Sequence, residues 1–571
     1  MRETLATIFK WLLGAEQAQA EPRPAEGLIE LDTGAMAGAK PVGTVDTPKT
    51  PSTHLWARWI FLRALGLIYF SAFYSLLFQA KGLIGPNGIL PASDYLQAVA
   101  AALHGARFWF APSLLWLGAS DRALMLLCWA GIIASVLLVL NVWPRGMIAI
   151  CFVCFLSFVC TLQDFASYQS DGMLQEAGFI AFFFAPTGFL PGLGRADGPS
   201  RLSRFLLQWE WFRIYFQSGV VKLASGDISW RNLTAMDDYY QNGPLPTWIG
   251  WYVQHLPHTV HASAVILTFA VELVIVWMMF LPRRFRIISF FIVTPFEIMI
   301  IFTANYTFLN YLVLSLGFLL VDDQFVESVV PEKWRRLVDR TPAKSLRTPA
   351  EGLGAQGWRI ASLQWISGLR MAIAGICLGV IFYASSAQLL WMFIPEFPLP
   401  QQPIRYLEPF RLADRYGLFA VMTHARYEIE FQGSRDGKTW TAYPFRYKPQ
   451  DLKSAPGIYA PYQPRFEWNL WFASLGNWRQ YRFVVWAEER LLRADPDVLE
   501  LFARNPFAGG SPPTQVRAVV WQYWFTDMRT KRETGDWWRR ELLGEYAPAL
   551  EREPDGKIII LNIPIAEIPL P

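Results

Sequence analysis

The residue of this 571-residue chain best suited to chemistry is Lys222, which closes the apolar segment Tyr215–Leu223. An ammonium group within or at the end of a membrane-spanning helix costs roughly 2.5–3.5 kcal/mol on insertion scales. The side chain must therefore reach the membrane surface or face a polar interior. In such an interior, a lysine that loses its proton can serve as a base, so Lys222 is the candidate catalytic residue.

Two acidic residues, Glu272 and Glu297, lie inside other apolar segments. An intramembrane carboxyl group must be paired, protonated or exposed to a cavity. Together with Lys222, the two glutamates can form a buried polar cluster. A structural hydrogen-bond network is the preferred interpretation of this cluster, and catalysis is the alternative.

Three histidines, His255, His258 and His261, are spaced three residues apart, so that neighbouring members would share a helix face. This spacing makes them weak candidates for a metal site. Pro257 interrupts the set, and the start of a helix at the membrane interface is the favoured interpretation. The sequence therefore requires no metal.

The composition identifies an integral membrane protein. The chain is 53% hydrophobic and only 17% charged, whereas soluble domains carry about 25% charge. No basic patch interleaved with aromatic residues is present, which argues against nucleic acid as a partner. All five cysteines fall in apolar segments, and we interpret even the closely spaced Cys151 and Cys154 as ordinary buried thiols.

About nine apolar segments are long enough to cross a bilayer. They lie near residues 60–80, 122–141, 147–163, 173–190, 205–222, 262–281, 287–304, 306–321 and 368–394. The segments alternate with connections that are either rich or poor in basic residues. With the N-terminus in the cytoplasm, the basic connections around Arg145, Arg195–Arg204, Arg283–Arg286 and Lys333–Arg359 all fall inside. Nine spans then place the C-terminus outside.

Polar residues gather on the outer side of this predicted topology. They are Asp164, Tyr168, Gln169, Asp171, Gln175, Asp227, Trp230, Asn305 and Asn310. Asp171 or Ser170 is suited to cap the start of a helix. The number of hydrogen-bonding side chains exceeds what capping needs, so this outer-face polar cluster is the predicted site of function.

The chain divides into three predicted parts. Residues 1–52 combine an amphipathic N-terminal helix with a disordered linker, and residues 53–394 form the membrane domain. Residues 395–571 form a mixed, β-rich, sandwich-like extracytoplasmic domain. Its predicted elements are a hairpin through Asp436-Gly437 (strands 427–431 and 443–447), strands at 515–527 and 556–563, and helices at 479–493 and 495–504.

Several ordered motifs resemble the lipase maturation factor family. They are Tyr168–Glu176, Ser218–Leu223, Asp227–Thr234, Phe308–Tyr311, Arg415–Thr423, Gly433–Trp440 and Trp537–Leu542. The resemblance implies a multi-span protein that helps secreted lipases reach an active fold. Animal members of the family reside in the endoplasmic reticulum with the C-terminal domain in the lumen. The composition of this chain looks bacterial, which implies an inner membrane and a periplasmic domain.

The membrane half is also more distantly similar to vitamin K-dependent γ-carboxylases, through Tyr215–Leu223 and the Asp227 and Trp230 that follow. In that family the lysine matching Lys222 takes part in the chemistry of a reduced quinone. The carboxylases have a second lysine where this chain has Val221. This departure puts a carboxylase activity in doubt.

The leading interpretation is a membrane-bound folding or maturation factor, without enzymatic activity, whose clients are exported proteins such as lipases. The C-terminal domain and the outer loops would engage the client. One alternative is a membrane enzyme in which Lys222 is a base acting on a lipid-soluble cofactor such as a quinol. Another is a structural membrane partner subunit. The sequence requires no cofactor, although a quinone or lipid would fit, and it leaves the oligomeric state open.

Overall fold

A computed structural model describes residues 53–564 except Ser167, Trp334 and residues 336–356, and it describes residues 357–367 by their backbone alone. The predictions for residues 1–52 lie outside the described residues. The longer helices of the membrane part are α1 (Leu55–Leu77), α2 (Ala92–Leu103), α3 (Asp121–Val139), α4 (Pro144–Val159), α5 (Gln169–Phe184), α6 (Arg201–Ala224), α7 (His258–Phe269), α8 (Arg283–Thr303), α9 (Leu309–Gly317) and α10 (Gly357–Trp391).

Each of the nine predicted ranges overlaps one of these helices, in part or in full, and α2 lies in a connection. Among the described residues, five helices are long and apolar enough to cross a membrane by length and hydropathy. They are α1, α3, α7 with its continuation to Phe280, α8, and residues 368–391 of α10. The helices α4 and α9 are apolar but shorter.

Glycines let the central helices approach closely. A Cβ added at Gly178 of α5 would lie 2.0 Å from the hydroxyl oxygen of Tyr69 on α1. A Cβ at Gly131 of α3 would lie 2.5 Å from the ring of Phe73, also on α1. Small residues at helix contacts are typical of membrane bundles, where close packing supplies much of the association energy.

Two helices are irregular where they carry the intramembrane acids. The helix α7 continues as a π-helical turn, Ala270–Val274, and then as a 3-10 segment, Ile275–Phe280. Glu272 lies within the π-helical turn, a feature that often marks functional sites. Pro295 lies inside α8, two residues before Glu297.

The C-terminal part is built on one antiparallel sheet. Its strands are β1 (Arg426–Ser434), β2 (Thr441–Ala442), β3 (Gln515–Phe525), β4 (Trp538–Glu545), β5 (Leu550–Arg552) and β6 (Ile558–Ile560). The order is β2-β1-β3-β5-β6. The strand β4 pairs with the same edge of β3 as β5 does, but along a different stretch of β3. Helices α11 (Arg465–Ala473) and α12 (Phe483–Leu492) pack against β1 and β3, respectively.

The predicted hairpin is confirmed, with Asp436 accepting backbone hydrogen bonds from Lys438 and Thr439, and with Gly437 at φ +69°. Three details of the prediction are wrong. The described residues form a single sheet covered by helices rather than a sandwich. The second hairpin strand is Thr441–Ala442 instead of 443–447, because Gln450 and Glu467 bind the backbone of residues 445–448. Only Pro496–Leu499 of residues 495–504 is helical.

The shorter helices lie in connections and at element ends. They are Ala80–Ile84, Arg107–Phe110, Ile228–Arg231, Tyr239–Asn242, Trp248–Gln254, Asp323–Val329, Gln402–Leu407, Pro496–Leu499 and Met528–Thr534. Cys151 and Cys154 are buried free thiols, as predicted. The described residues belong to one compact unit, in which the sheet domain packs directly on the membrane helices.

Candidate functional site

The ammonium group of Lys222 is buried and paired. Lys222 is 2% exposed, and its Nζ lies 2.8 and 2.9 Å from the two carboxylate oxygens of Glu272. Nζ also lies 5.2 Å from the ring centroid of Trp230, within reach of a cation–π contact. The lysine therefore faces the protein interior instead of reaching the membrane surface.

The second intramembrane acid, Glu297, has two neutral donors. The Tyr215 hydroxyl donates to Oε1, and Nδ2 of Asn310 donates to Oε2 at 2.7 Å. Tyr215 precedes Lys222 by two helical turns on α6. The predicted buried cluster is thus present as two adjacent centres, Lys222–Glu272 and Tyr215–Glu297–Asn310.

Both centres lie on the wall of one cavity of about 600 Å³. Its apolar wall comes from α6, α7, α8 and α9 and from the helix Trp248–Gln254. Leu418 and Phe419, from the segment that leads into the sheet domain, also line it. A cavity of this size and polarity is a ligand-binding arrangement, with a few polar groups set in apolar walls.

The segment Tyr416–Met422 lies over α6 and is held by residues of the predicted outer-face polar cluster. Gln169 accepts a hydrogen bond from Gly417 N at 3.1 Å, and Trp230 Nε1 donates to Phe419 O at 3.1 Å. Asp227 accepts from Met422 N at 2.6 Å. Burial raises the pKa of Asp227, but hydrogen bonds from Met422 and Ser229 bring it below its ordinary value. These residues position the segment, and Asp227 forms its hydrogen bonds with backbone instead of with Lys222.

A further buried centre joins this segment to the bundle. Arg213 of α6 donates to one carboxylate oxygen of Glu176, and the Tyr416 hydroxyl donates to the other at 2.8 Å. Arg213 Nη1 also donates to the carbonyl oxygen of Asp414 at 3.0 Å. Burial raises the pKa of the Asp414 carboxyl to about 6, and the negative charge of Glu176 contributes to this increase.

Asp171 ties the sheet domain to α5. Its carboxylate accepts two hydrogen bonds from Arg465 of α11, each 2.8 Å long, and Arg465 also donates to Phe165 O. The expectation that Asp171 or Ser170 caps the helix is wrong: Tyr168 is the N-cap residue and makes no side-chain cap. A buried guanidinium is a stronger partner for a carboxylate than backbone N–H groups. The Tyr168 hydroxyl donates to Arg465 O at 3.3 Å.

The remaining members of the polar cluster are separate from the cavity. Asn305 accepts hydrogen bonds from Tyr459 N and Ala460 N and donates to Gly457 O, so it too holds the sheet domain. Gln175 is fully buried, and its amide has no hydrogen-bond partner among the described residues. Asp164 lies in the connection before α5, where burial raises its pKa.

The three histidines have different partners and do not form a metal site. His255 lies between the carbonyl oxygens of Trp251 and Thr526, and His258 pairs with Asp237 at 2.9 Å. His261 is buried against the ring of Tyr240. The helix α7 begins at His258, which agrees with the alternative interpretation of this stretch as a helix start.

The prediction overlooked Arg213 and Tyr215 on α6 and Arg465 on α11. The sequence could have indicated Arg213, because Glu210 and Arg213 are two charged residues inside the predicted span 205–222. Tyr215 carried no such signal, since tyrosine is common in membrane helices. Arg465 lies almost 300 residues from Asp171, beyond any local pattern.

Fold and site define a class: an integral membrane protein whose helical bundle contains an apolar cavity with a few polar groups on its wall and carries a docked β-sheet domain. Two family models match the chain, the lipase maturation factor transmembrane domain at residues 56–328 and the lipase maturation factor C-terminal domain at residues 412–548. The chain belongs to the lipase maturation factor family.

Curated relatives match over most of their length. Lipase maturation factor 1 of Bos taurus is 30% identical, and the match covers 87% of this chain and 89% of the relative. Lipase maturation factor 2 of Homo sapiens is 30% identical, and the match covers 86% of this chain and 82% of the relative. Lipase maturation factor 1 of Homo sapiens is 28% identical, and the match covers 93% of this chain and 95% of the relative. No solved structure matches the chain.

Proposed function

We propose that this protein assists the folding or maturation of exported proteins, with lipases as clients. The names of its relatives support the client class. The observation that carries the proposal is an exposed strand, β4, on the sheet domain. Among the described residues β4 pairs only with β3, so its other edge is open to a partner strand.

The open edge of β4 carries apolar side chains. Leu542 is 49% exposed and Leu543 is 38% exposed. Leu543 faces no residue of β3, because the register shifts between Val520 and Trp521. An exposed edge with apolar side chains pairs with extended client segments through main-chain hydrogen bonds, and it holds them without covalent chemistry.

The test replaces both leucines by lysine, since charge on an edge strand opposes pairing. Secretion of active lipase from cells that produce Leu542→Lys/Leu543→Lys should fall about fivefold or more, the effect of losing roughly 1 kcal/mol of binding. Met528→Lys is the matched control, because Met528 is equally exposed on the same domain but lies outside β4. Unchanged lipase maturation in a folded double variant would contradict this mode of engagement.

The proposed topology has nine spans, with the N-terminus in the cytoplasm and the sheet domain in the periplasm of a bacterial inner membrane. Residues 53–394 would form the membrane domain and residues 395–571 the client-binding domain. The alternation of basic connections and the position of a helix at each predicted span support this arrangement.

A second candidate is a membrane enzyme in which Lys222 is a base toward a quinol. The position of Lys222 on the cavity wall favours it, whereas the ion pair with Glu272 occupies the ammonium group. Lys222→Arg distinguishes the two functions, because arginine can keep the pair but stays protonated at any usable pH. The enzyme requires that Lys222→Arg insert normally and lose activity as completely as Lys222→Met. Full activity of Lys222→Arg eliminates this candidate.

A further inference from the structure

The cavity has the composition of a lipid site. A volume of about 600 Å³ lies in the range of sites for medium-sized ligands, roughly 300–1,000 Å³. Its walls are mostly aliphatic and aromatic, and its charged side chains are Lys222, Glu272 and Glu297. Several hydroxyl groups also line it, and those of Ser218, Thr268 and Thr303 donate to backbone carbonyl oxygens of their own helices. A ligand that fills it therefore has a large apolar part and a small polar part.

The charges on the wall indicate an uncharged head group. The charge of Lys222 is already matched by Glu272 at 2.8 Å, and Glu297 is held by the neutral donors Tyr215 and Asn310. Lys222 is the only cation among the described residues that line the cavity, so an anionic head group would find no free counter-ion there. Carboxylate oxygens that retain lone pairs are acceptors for a hydroxyl group.

The cavity opens toward the bilayer between α7 and α8. Val260 and Leu267 of α7, and Met299 and Phe302 of α8, line the cavity and are between 36% and 51% exposed. Both helices are candidate membrane spans, so their exposed faces contact hydrocarbon. A ligand can enter this gap from the membrane without crossing water.

We propose that this cavity binds an uncharged, single-chain lipid that enters from the bilayer between α7 and α8. The chain lies against the apolar walls, and a hydroxyl or carbonyl head group hydrogen-bonds at the two polar centres. The proposal depends neither on lipases as clients nor on a reaction at Lys222.

The experiment measures lipid retention by the full-length protein after delipidation in detergent, using native mass spectrometry. The probes are 1-oleoylglycerol and a short-tailed ubiquinone as uncharged lipids, with oleate as the anion matched in chain length to the first. At least one uncharged probe should bind at least tenfold more tightly than oleate. Which uncharged probe is retained identifies the head group.

Two variants locate the site. Ala264→Trp fills the cavity from α7 and leaves the residues of both polar centres unchanged, and it should abolish retention of the uncharged probe. Ser263→Trp, exposed on the same helix but outside the cavity lining, should retain it.

Three results overturn the proposal. They are equal binding of oleate, no retention of either uncharged probe by the unaltered protein, and undiminished retention by folded Ala264→Trp. The comparison of probes on the unaltered protein decides the matter even if Ala264→Trp does not fold.

Discussion

At the scale of single residues, the sequence grouped Lys222, Glu272 and Glu297 as one buried cluster, but it did not say which glutamate pairs with the lysine or which residues bind the other. An intramembrane lysine had to be paired or reach the surface, and Lys222 is paired. Its partner Glu272 lies 50 residues away, on a π-helical turn that no periodicity predicts. Glu297 likewise needed donors, but local spacing could not name Tyr215, 82 residues distant.

Lys222→Met should be strongly destabilising, because it leaves the Glu272 carboxylate buried without its counter-ion. Breaking such a pair by removing one partner costs about 3–5 kcal/mol, whereas replacing both partners by apolar residues is often nearly neutral. Thermal unfolding in detergent should therefore show a large loss of stability for Lys222→Met. The double variant Lys222→Met/Glu272→Leu should recover most of that stability. Equal stability of the single and double variants would mean that the pair is not formed.

At the scale of elements, apolar length and turn chemistry were sufficient to position the helices and the hairpin. Asp436-Gly437 specified a turn that needs a positive φ, and the structure has it. The sequence could not give the extent of β2 or the single sheet, because both depend on side chains from distant elements such as Glu467. Close helix contacts were equally invisible, since a glycine in a span does not name the residue that it faces.

Gly178→Ala tests the closest of these contacts. The added methyl group would lie 2.0 Å from the Tyr69 hydroxyl oxygen, so α1 and α5 must separate or Tyr69 must move. We expect a loss of about 1–3 kcal/mol, as for other overpacked sites. Tyr69→Phe removes that oxygen and should reduce the penalty when combined with Gly178→Ala. Gly375→Ala, which meets nothing within 4 Å, is the control and should not destabilise the protein.

At the scale of the whole molecule, the residues that the sequence grouped as an outer-face site turn out to serve two purposes. Gln169, Asp171, Asp227 and Asn305 hold the sheet domain or the segment that leads to it. Asn310 lines the cavity, and Trp230 does both, because it lines the cavity and its Nε1 donates to Phe419 O. The prediction that these polar residues form one site of function stays a prediction, and their division between the two purposes required the position of the sheet domain.

Asp171→Asn should loosen the sheet domain from the bundle. Arg465 is fully buried, and loss of the negative charge leaves its guanidinium without a counter-ion, at a cost of about 3–5 kcal/mol. Hydrogen exchange of Arg465–Ala473 should rise because this pair holds that helix to α5. Asp436→Asn, in an exposed turn of the sheet domain, should leave this exchange unchanged. Unaltered protection in Asp171→Asn would show that the pair does not hold the domain.

The proposed orientation of the whole chain in the membrane rests on its basic connections, and it determines where a client can be met. If residues 395–571 are extracytoplasmic, a reporter active only in the periplasm and fused after Pro571 should be active, and one active only in the cytoplasm should be silent. The same reporters placed after residue 345, in a basic connection, should show the reverse pattern. A cytoplasmic C-terminus would remove the open edge of β4 from exported clients, and with it the proposed function.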